Sequence, residues 1–372
     1  MNCSFFKIND TIEHYASFNA KLGMSFEDAV SDVFTQYERY EVDNKLTARN
    51  RVYLLIYLSD ISNQLHDFKY IARRSIKTCF FFVLGQPPAS GCKIAIQSCH
   101  IVGDITKDIL NERGQLFTHN TYSSYYVAYL PKDIGSSANQ TSEIFNKMNV
   151  MLKAYSMNIA DNAIRTWIYT RDVDNNYSGM TDARYKIFLE NGMTKDTHYI
   201  ASTGIGAEGE QTTQLVFMYA LSIDGISQDQ VTFISAPDYL NSSYEYGVTF
   251  ERGARVVYGD RSHYYISGTA SIDNLGNVLY PGNIVRQTER VLVNIQALLE
   301  GYDAALSDIK SAIVYLRDFS DYSLVKSIVD KKLTHEPSII FVKGSVCRPS
   351  WLVEIECIAV NNNFDDRFNR YL

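Results

Sequence analysis

A short strand signature that ends in an aspartate occurs three times in this chain of 372 residues. The copies are LLIYLSD at 54–60, WIYTRD at 167–172 and IVYLRD at 313–318. Their final residues, Asp60, Asp172 and Asp318, are 112 and 146 residues apart, which is the size of a small domain. The repeat therefore predicts several similar domains rather than one domain with a single large hydrophobic core.

Each signature lies between two candidate helices and is followed by a closing strand. Apolar residues recur at helical spacing before the signatures, near 26–40, 141–154 and 286–302. Second helix candidates follow at 62–75, 181–192 and 320–333, and strand-like runs at 93–101, 214–221 and 352–360 close the units.

This order of elements predicts an α+β fold of three modules. Each module should have helices packed on one face of a mixed, mostly antiparallel sheet. Polar stretches near 115–122 and 236–245 place the predicted modules at 1–120, 121–240 and 241–372.

The third closing strand differs from the other two because it contains two acids, Glu354 and Glu356. Side chains alternate along a strand, so both carboxylates lie on one face and Val353 and Ile355 on the other. An acid in an apolar strand is costly unless it is solvated, paired or used in chemistry. Glu354 is therefore a candidate functional acid, although a surface glutamate on an edge strand has the same pattern. For Glu356, a paired or solvent-facing carboxylate is the better interpretation.

Composition and short motifs argue against several classes of function. The net charge of −7 provides no basic surface for nucleic acid. Six cysteines without a CxxC pair indicate reduced thiols, and seven histidines without an HxH or HExxH pattern indicate no metal site. No charged leader precedes a long apolar run, and no window reaches the roughly 18 apolar residues of a membrane span. We expect a cytoplasmic protein without cofactor, nucleic-acid partner or membrane partner, either monomeric or homo-oligomeric.

From about residue 265 to residue 360 the chain resembles a subunit of the Rid/YjgF family. The matching segments are ISGTASIDNLGNV at 266–278, QTERVLVNI at 287–295, AIVYLRDFSD at 312–321 and LVEIECIAV at 352–360. Family members are small homotrimers with sites in the clefts between subunits. The resemblance implies three Rid-like modules that form a pseudo-trimer in one chain, the first of them degenerate. The deaminase members place an arginine fifteen residues before the glutamate, where this chain has Ile339.

A narrower resemblance, to the chorismatase family, covers the second and third modules. Its segments are RTWIY at 165–169, DARYKIF at 182–188, ASTGIG at 201–206, FERGA at 250–254, SGTAS at 267–271 and VCRPSWLVEIE at 346–356. Chorismatases are cofactor-free enzymes that remove pyruvate from chorismate on a Rid-like core. The resemblance implies that Glu354 is the general acid. It also implies that Cys347 and Gly268 are typical of the branch that forms 3-hydroxybenzoate.

Chorismate is a dicarboxylate, so its binding site requires cations and phenols. The candidates, most of them in the predicted middle module, are Arg165, Tyr169, Arg184, Tyr185 and Arg252, together with Gly268. A surface salt bridge is the common alternative for any single arginine. The apolar residues beside Cys347 raise the pKa of a thiol, so we expect it to shape the pocket rather than act as a nucleophile. A buried structural thiol is the alternative.

These features predict an enzyme that protonates the enol ether of chorismate through Glu354 and eliminates pyruvate. The expected product is a hydroxybenzoate, with 3-hydroxybenzoate favoured. An apolar setting must keep the acid protonated near neutral pH for this chemistry. Two alternatives stay open: a Rid-type deaminase of enamines or imines, which would need an arginine from elsewhere, and a non-catalytic metabolite-binding protein.

Overall fold

The computed structural model describes residues 1–111, 113–132 and 134–372, and it contains three mixed sheets with helices. The first sheet has the strand order β1-β2-β5-β3-β4. Its module comprises β1 (Asn2–Ile8), β2 (Thr11–Asn19), α1 (Phe26–Asp43), β3 (Arg51–Leu58), α2 (Ile61–Ile71), β4 (Phe80–Leu84) and β5 (Ile94–Val102). The apolar faces of α1 and α2 pack on this sheet in a core of their own.

The second sheet has the order β10-β9-β11-β8-β7-β6. Its elements are β6 (Ile105–Asn111), β7 (Gly114–His119), β8 (Tyr122–Tyr129), α3 (Ser137–Ala154), α4 (Ile159–Asn162), β9 (Ala163–Thr170), α5 (Val173–Glu190), β10 (Ala201–Gly206) and β11 (Val216–Asp224). A second separate core lies between this sheet and α3 and α5.

The third sheet has the order β12-β13-β14-β17-β15-β16. Its elements are β12 (Val231–Phe233), β13 (Gly253–Val257), β14 (Arg261–Thr269), α6 (Ile284–Glu300), β15 (Ile309–Leu316), α7 (Tyr322–Lys332), β16 (Ser338–Lys343) and β17 (Val353–Asn362). Helix α6 begins after Asn283, whose side chain accepts a hydrogen bond from the Arg286 amide, and its predicted apolar stripe is buried.

All three modules share one four-strand unit, which confirms the predicted α+β fold of three Rid-like modules. The units are β2-β5-β3-β4, β8-β11-β9-β10 and β14-β17-β15-β16. In each unit the signature strand pairs antiparallel with the closing strand and parallel with the edge strand. Parallel neighbours require a crossover, and α2, α5 and α7 provide it.

The last strand of the first sheet ends at Val102, and the first strand of the second sheet begins at Ile105. The second sheet ends in sequence at Asp224, and the third begins at Val231. The module limits at residues 120 and 240 remain a prediction about where the units divide. Among the described residues, no helix combines the length and the apolar character needed to cross a membrane.

Equivalent residues of the three modules meet at a common centre, as in a trimer. Aligning the signatures on their aspartates makes Tyr57, Tyr169 and Tyr315 equivalent, and all three belong to one shared core. The residues paired with them on the closing strands are Ala95, Phe217 and Glu354. An acid at this position is therefore specific to the third module.

A buried ion cluster joins the first module to the third. The carboxylate of Glu13 on β2 contacts Arg261 Nη1 at 2.7 Å and His263 Nε2 at 2.9 Å. Arg261 also contacts Asp260 at 2.9 Å, and Asp260 accepts a hydrogen bond from the Tyr371 amide. The C-terminal segment is thus packed against the body of the protein.

Candidate active site

A cavity of about 490 Å³ lies between the middle and third modules. From the middle module it is lined by α5 and β10, and from the third by β14, β17 and the loop segments 247–252, 270–272 and 347–351. Its polar and charged lining comprises Asp174, Tyr177, Ser178, Thr181, Arg184, Ser202, Arg252, Cys347, Arg348 and Glu354. A cleft between modules corresponds to the position that the family resemblance implies.

Edge strand β10 forms one wall because it is hydrogen-bonded to the third module. The Glu251 amide donates to the Ile200 carbonyl at 3.1 Å. The Ser202 amide donates to Ser267 Oγ at 2.9 Å, and this hydroxyl donates to the Glu251 carbonyl at 2.6 Å. These bonds hold the two modules in register beside Glu354.

Glu354 lies on β17 opposite Tyr315, and it is buried at 5% exposure although it lines the cavity. Within the described part of the chain, no hydrogen bond reaches its carboxyl group. Burial, followed by the charge of Glu356, raises its pKa to about 8, while Arg252 and Arg165 oppose the shift. The side chain therefore holds its proton at neutral pH, as a general acid requires.

Gly268 lies directly against this carboxyl group. One extra residue in β14 makes a bulge between Ile266 and Thr269, and Gly268 lies within it. A β-carbon at position 268 would overlap the Glu354 carboxyl and lie 2.8 Å from its Cδ. Bulges often reorient side chains beside active sites, and here the missing side chain makes room for the acid.

Glu356 is paired and buried, so of the two arrangements expected from the sequence, paired or solvent-facing, it has the first. It contacts Arg165 Nη2 at 2.9 Å and accepts a hydrogen bond from Trp167 Nε1 at 2.9 Å and another from Thr203 Oγ1. Burial raises its pKa, and Arg165, Thr203 and Trp167 act in the opposite direction. Of the two acids, Glu356 has the partners of a carboxylate and Glu354 has not.

Three arginines surround the cavity. Arg252 donates from Nε and Nη2 to the Asn241 carbonyl, at 3.2 and 2.9 Å, and its guanidinium lies 5.2 Å from the Phe250 ring. Arg184 on α5 is buried, and Arg348 lies over the Trp351 ring at 5.2 Å. With Asp174 as the other acid in the lining, the site has a surplus of positive charge and favours an anion.

Cys347 lines the cavity beside Glu354. Burial, with the nearby charge of Glu354, raises the pKa of its thiol to about 12, and a hydrogen bond with Tyr177 opposes this. The group is a thiol and not a thiolate at neutral pH, so it is a poor nucleophile.

The structure brings five of the predicted site residues together and places three elsewhere. Glu354, Cys347, Gly268, Arg184 and Arg252 all line the cavity. Arg165 does not, because it is paired with Glu356. Tyr169 is fully buried near the common centre against Phe217 and Phe82, and Tyr185 is 47% exposed on the surface of α5.

The first two turns of α5 lie outside the helix predicted at 181–192, because α5 begins at Val173. Asp174, Tyr177, Ser178 and Thr181 line the cavity at helical spacing. These polar residues at positions i, i+3, i+4 and i+7 are themselves a sign of a helix with a polar face. A helix prediction based only on the spacing of apolar residues does not detect them. Arg348 was also missed, although it is adjacent to Cys347.

In this cavity, the residue that corresponds to the arginine of the deaminases comes from the middle module. Ser202 pairs with Thr166 as Ile339 pairs with Ala312, so Ser202 and Ile339 are equivalent. Ser202 lines the cavity with Glu354, whereas β16, which contains Ile339, packs against the first module. The residue opposite the acid is therefore a serine.

Comparison with known proteins agrees with this arrangement. The family model described as Endoribonuclease L-PSP matches residues 255–361. A RutC family protein of Pyrococcus abyssi is 31% identical over 96 residues, which are 26% of this chain and 76% of the relative. One of Saccharolobus solfataricus is 33% identical over the same shares of each chain. The chain belongs to the RutC family through its third module.

Nearly the whole chain has the fold of a chorismatase. The crystal structure of a chorismatase matches 95% of this chain and 100% of its own length, with a TM-score of 0.67 and 16% sequence identity. The match includes all three modules, whereas the RutC relatives match one. The three-module arrangement is therefore an established fold.

Proposed function

We propose that this protein is a chorismatase-type enzyme that converts chorismate into pyruvate and a hydroxybenzoate. The observation that supports it most directly is the buried Glu354, whose pKa is raised to about 8, in an arginine-lined cavity between two modules. The fold shared with a chorismatase is consistent with it. The proposed site consists of Glu354 as general acid, Cys347 and Gly268 beside it, and Arg184 and Arg252 for the substrate carboxylates.

The reaction begins with a proton transfer from Glu354 to the terminal methylene carbon of the enolpyruvyl group. The carbon–carbon double bond supplies the electron pair, and an oxocarbenium ion forms at the ether carbon. The bond between the ring carbon and the ether oxygen then breaks, and its electron pair stays on that oxygen, which becomes the keto oxygen of pyruvate. Loss of a ring proton, which restores the proton of Glu354, makes the ring aromatic. A 3-hydroxyl also requires the oxygen of the neighbouring ring hydroxyl to move to the carbon that carried the ether. 3-Hydroxybenzoate and pyruvate together contain all the atoms of chorismate, so this branch requires no net water. A positioned general acid contributes about 10²–10⁴-fold, and binding in the correct geometry supplies much of the rest.

Incubation with chorismate tests the proposal. We expect pyruvate to appear together with an aromatic acid that co-elutes with 3-hydroxybenzoate, and Glu354→Gln to abolish both. Absence of pyruvate above the non-enzymatic background would refute the proposal. A dihydroxycyclohexadiene carboxylate instead of the aromatic acid would retain the enzyme class and refute the favoured product.

Deamination of an enamine or imine is the second candidate, and RutC family membership supports it. The third module is 28% identical over 96 residues to the 3-aminoacrylate deaminase RutC of Acinetobacter baylyi. Ser202 stands where the deaminases have an arginine, which argues against this activity. Accelerated breakdown of 2-iminobutyrate, with no pyruvate from chorismate, would favour the deaminase. Binding of chorismate without turnover would indicate a non-catalytic protein.

A further inference from the structure

Thr203, on β10 of the middle module, is hydrogen-bonded to two residues of the third module that lie beside Glu354. Its hydroxyl accepts hydrogen bonds from the Gly268 amide, at 2.9 Å, and from Arg165 Nη2, and it donates to Glu356 Oε2. A hydroxyl has one proton and two lone pairs, so these three bonds use its full capacity. Their directions are therefore fixed, and Glu356 is the acceptor.

Glu356 only accepts hydrogen bonds from these partners. Oε2 faces Thr203 and Arg165, and Oε1 faces the indole N–H of Trp167. All three partners are donors, so none of them could accept the proton of a neutral carboxyl group. The hydrogen-bond pattern thus favours the ionised form of Glu356.

Glu354 and Glu356 lie on one face of β17, two residues apart, at 5% and 4% exposure. Two buried carboxylates this close do not readily ionise together, so a charge on one keeps the proton on the other. The ion pair with Arg165 gives the charge to Glu356. The proton then belongs to Glu354, which faces the cavity.

We propose that Glu356 is a positioning residue: held as a carboxylate by Arg165 and Thr203, it keeps Glu354 neutral and ready to donate its proton. The catalytic consequence rests on the proposed function, whereas the division of charge between the two acids does not. The same threonine holds the Gly268 amide, so the bulge that accommodates Glu354 is fixed by the same network. A purely structural alternative is that Arg165 and Glu356 only tie two modules together.

The first test is a titration of the Glu354 carboxyl group in Glu356→Gln. Infrared difference spectroscopy follows its protonated C=O band, assigned by the loss of the band in Glu354→Gln, and needs no turnover. Loss of the neighbouring charge should move the midpoint to lower pH by about one unit or more. The upper pH limit of kcat/KM should move with it. An unchanged midpoint would overturn the inference.

Glu210→Gln is the matched control. Glu210 is also a poorly exposed, paired carboxylate between modules, with Arg113 at 2.6 Å and Lys69 at 2.7 Å, and it does not line the cavity. This variant should leave the Glu354 midpoint unchanged. If the wild-type protein does not turn over chorismate but Glu356→Gln still shifts the midpoint, the proposed function fails and the division of charge stands.

Thr203 variants provide a second test that does not depend on the folding of Glu356→Gln. Thr203→Val removes the hydroxyl and leaves the Gly268 amide unpaired, so kcat should fall about tenfold or more with a much smaller change in KM. Thr203→Ser keeps the hydroxyl and should restore most of kcat. Equal kcat in the valine and serine variants would contradict the positioning role.

Discussion

The carboxyl group of Glu354 occupies the space that a side chain at position 268 would fill. Gly268 lies in the bulge of β14, opposite the strand that carries the acid. On its other side, Cγ2 of Thr203 lies 3.2 Å from the place of a β-carbon, so the position is confined by both modules. Glycine is needed here for space and not for backbone conformation, because φ at Gly268 is not positive.

Gly268→Ala should therefore impair activity while leaving the fold intact. The new methyl group must displace the Glu354 carboxyl, and a shift of about 1 Å in a reacting group can lower the rate about 100-fold. Measurement of kcat with circular dichroism as a check on folding tests this. Gly301→Ala is the control, because φ there is −63° and the nearest atom to a β-carbon is 3.4 Å away. Activity close to wild type in Gly268→Ala would contradict the site geometry.

The activity should decline as Glu354 ionises. Burial and the charge of Glu356 raise its pKa to about 8, and only the protonated form can donate. We expect kcat/KM to be constant below this pH and to fall about tenfold for each further unit above it. A profile measured with background hydrolysis of chorismate subtracted checks the prediction. Constant kcat/KM up to about pH 10 would exclude Glu354 as the acid.

The same shift predicts that Glu354→Gln stabilises the protein at neutral pH. The pKa of the Glu354 carboxyl is about 8 in the folded state, whereas its ordinary value, which applies to the unfolded chain, is 4.5. Between these two pH values the folded state therefore retains a proton that the unfolded chain has lost. The wild type therefore loses stability as pH rises from about 4.5 to 8, by up to about 3 kcal/mol at pH 7. Glutamine does not titrate. The difference in free energy of unfolding between Glu354→Gln and the wild type, measured by urea denaturation, should therefore grow over this pH range and vanish near pH 4. A difference that does not depend on pH would contradict the assignment.

Much of the fold was predictable because each module repeats its own local pattern. The signature strands end in equivalent aspartates, and the buried face of α6 has the apolar spacing of a helix on a sheet. Glu354 was identifiable because strand alternation and comparison of the closing strands single out an acid in one module. These signals are local and need no knowledge of how the modules pack.

The remainder of the site depends on contacts between modules, which no local pattern encodes. Arg165 was predicted to bind substrate, but its partner Glu356 is 191 residues away in the sequence. Tyr169 does share a strand face with Arg165, as alternation requires, but that face points to the common centre. Within the third module Ile339 corresponds to the deaminase arginine, but the equivalent residue in this cavity is Ser202 of the neighbouring module.

Arg252 should contribute mainly to substrate binding. Its guanidinium is positioned by the Asn241 carbonyl and by the Phe250 ring, which suits a planar contact with a carboxylate. Arg252→Lys retains the charge and loses the planar fork, so KM for chorismate should rise about tenfold or more. Arg255→Lys, which changes an arginine near the exposed Asp303, is the control and should leave KM unchanged. An unaltered KM in Arg252→Lys would remove this residue from the proposed site.

Glu13 should be a major source of stability, because its carboxylate is buried between Arg261 and His263. Burial alone would raise its pKa, but His263 and Arg261 outweigh burial and lower it from 4.5 to about 2. The stability it provides is present above about pH 4.5 and is lost as pH falls towards 2. Glu13→Gln leaves the buried Arg261 without this counter-charge, so the free energy of unfolding should fall by about 3 kcal/mol at pH 7.

Asp330→Asn, which breaks the exposed pair with Lys326, is the control and should change the free energy of unfolding by less than about 0.5 kcal/mol. If urea denaturation shows equal losses in the two variants, the cluster does not hold the first and third modules together.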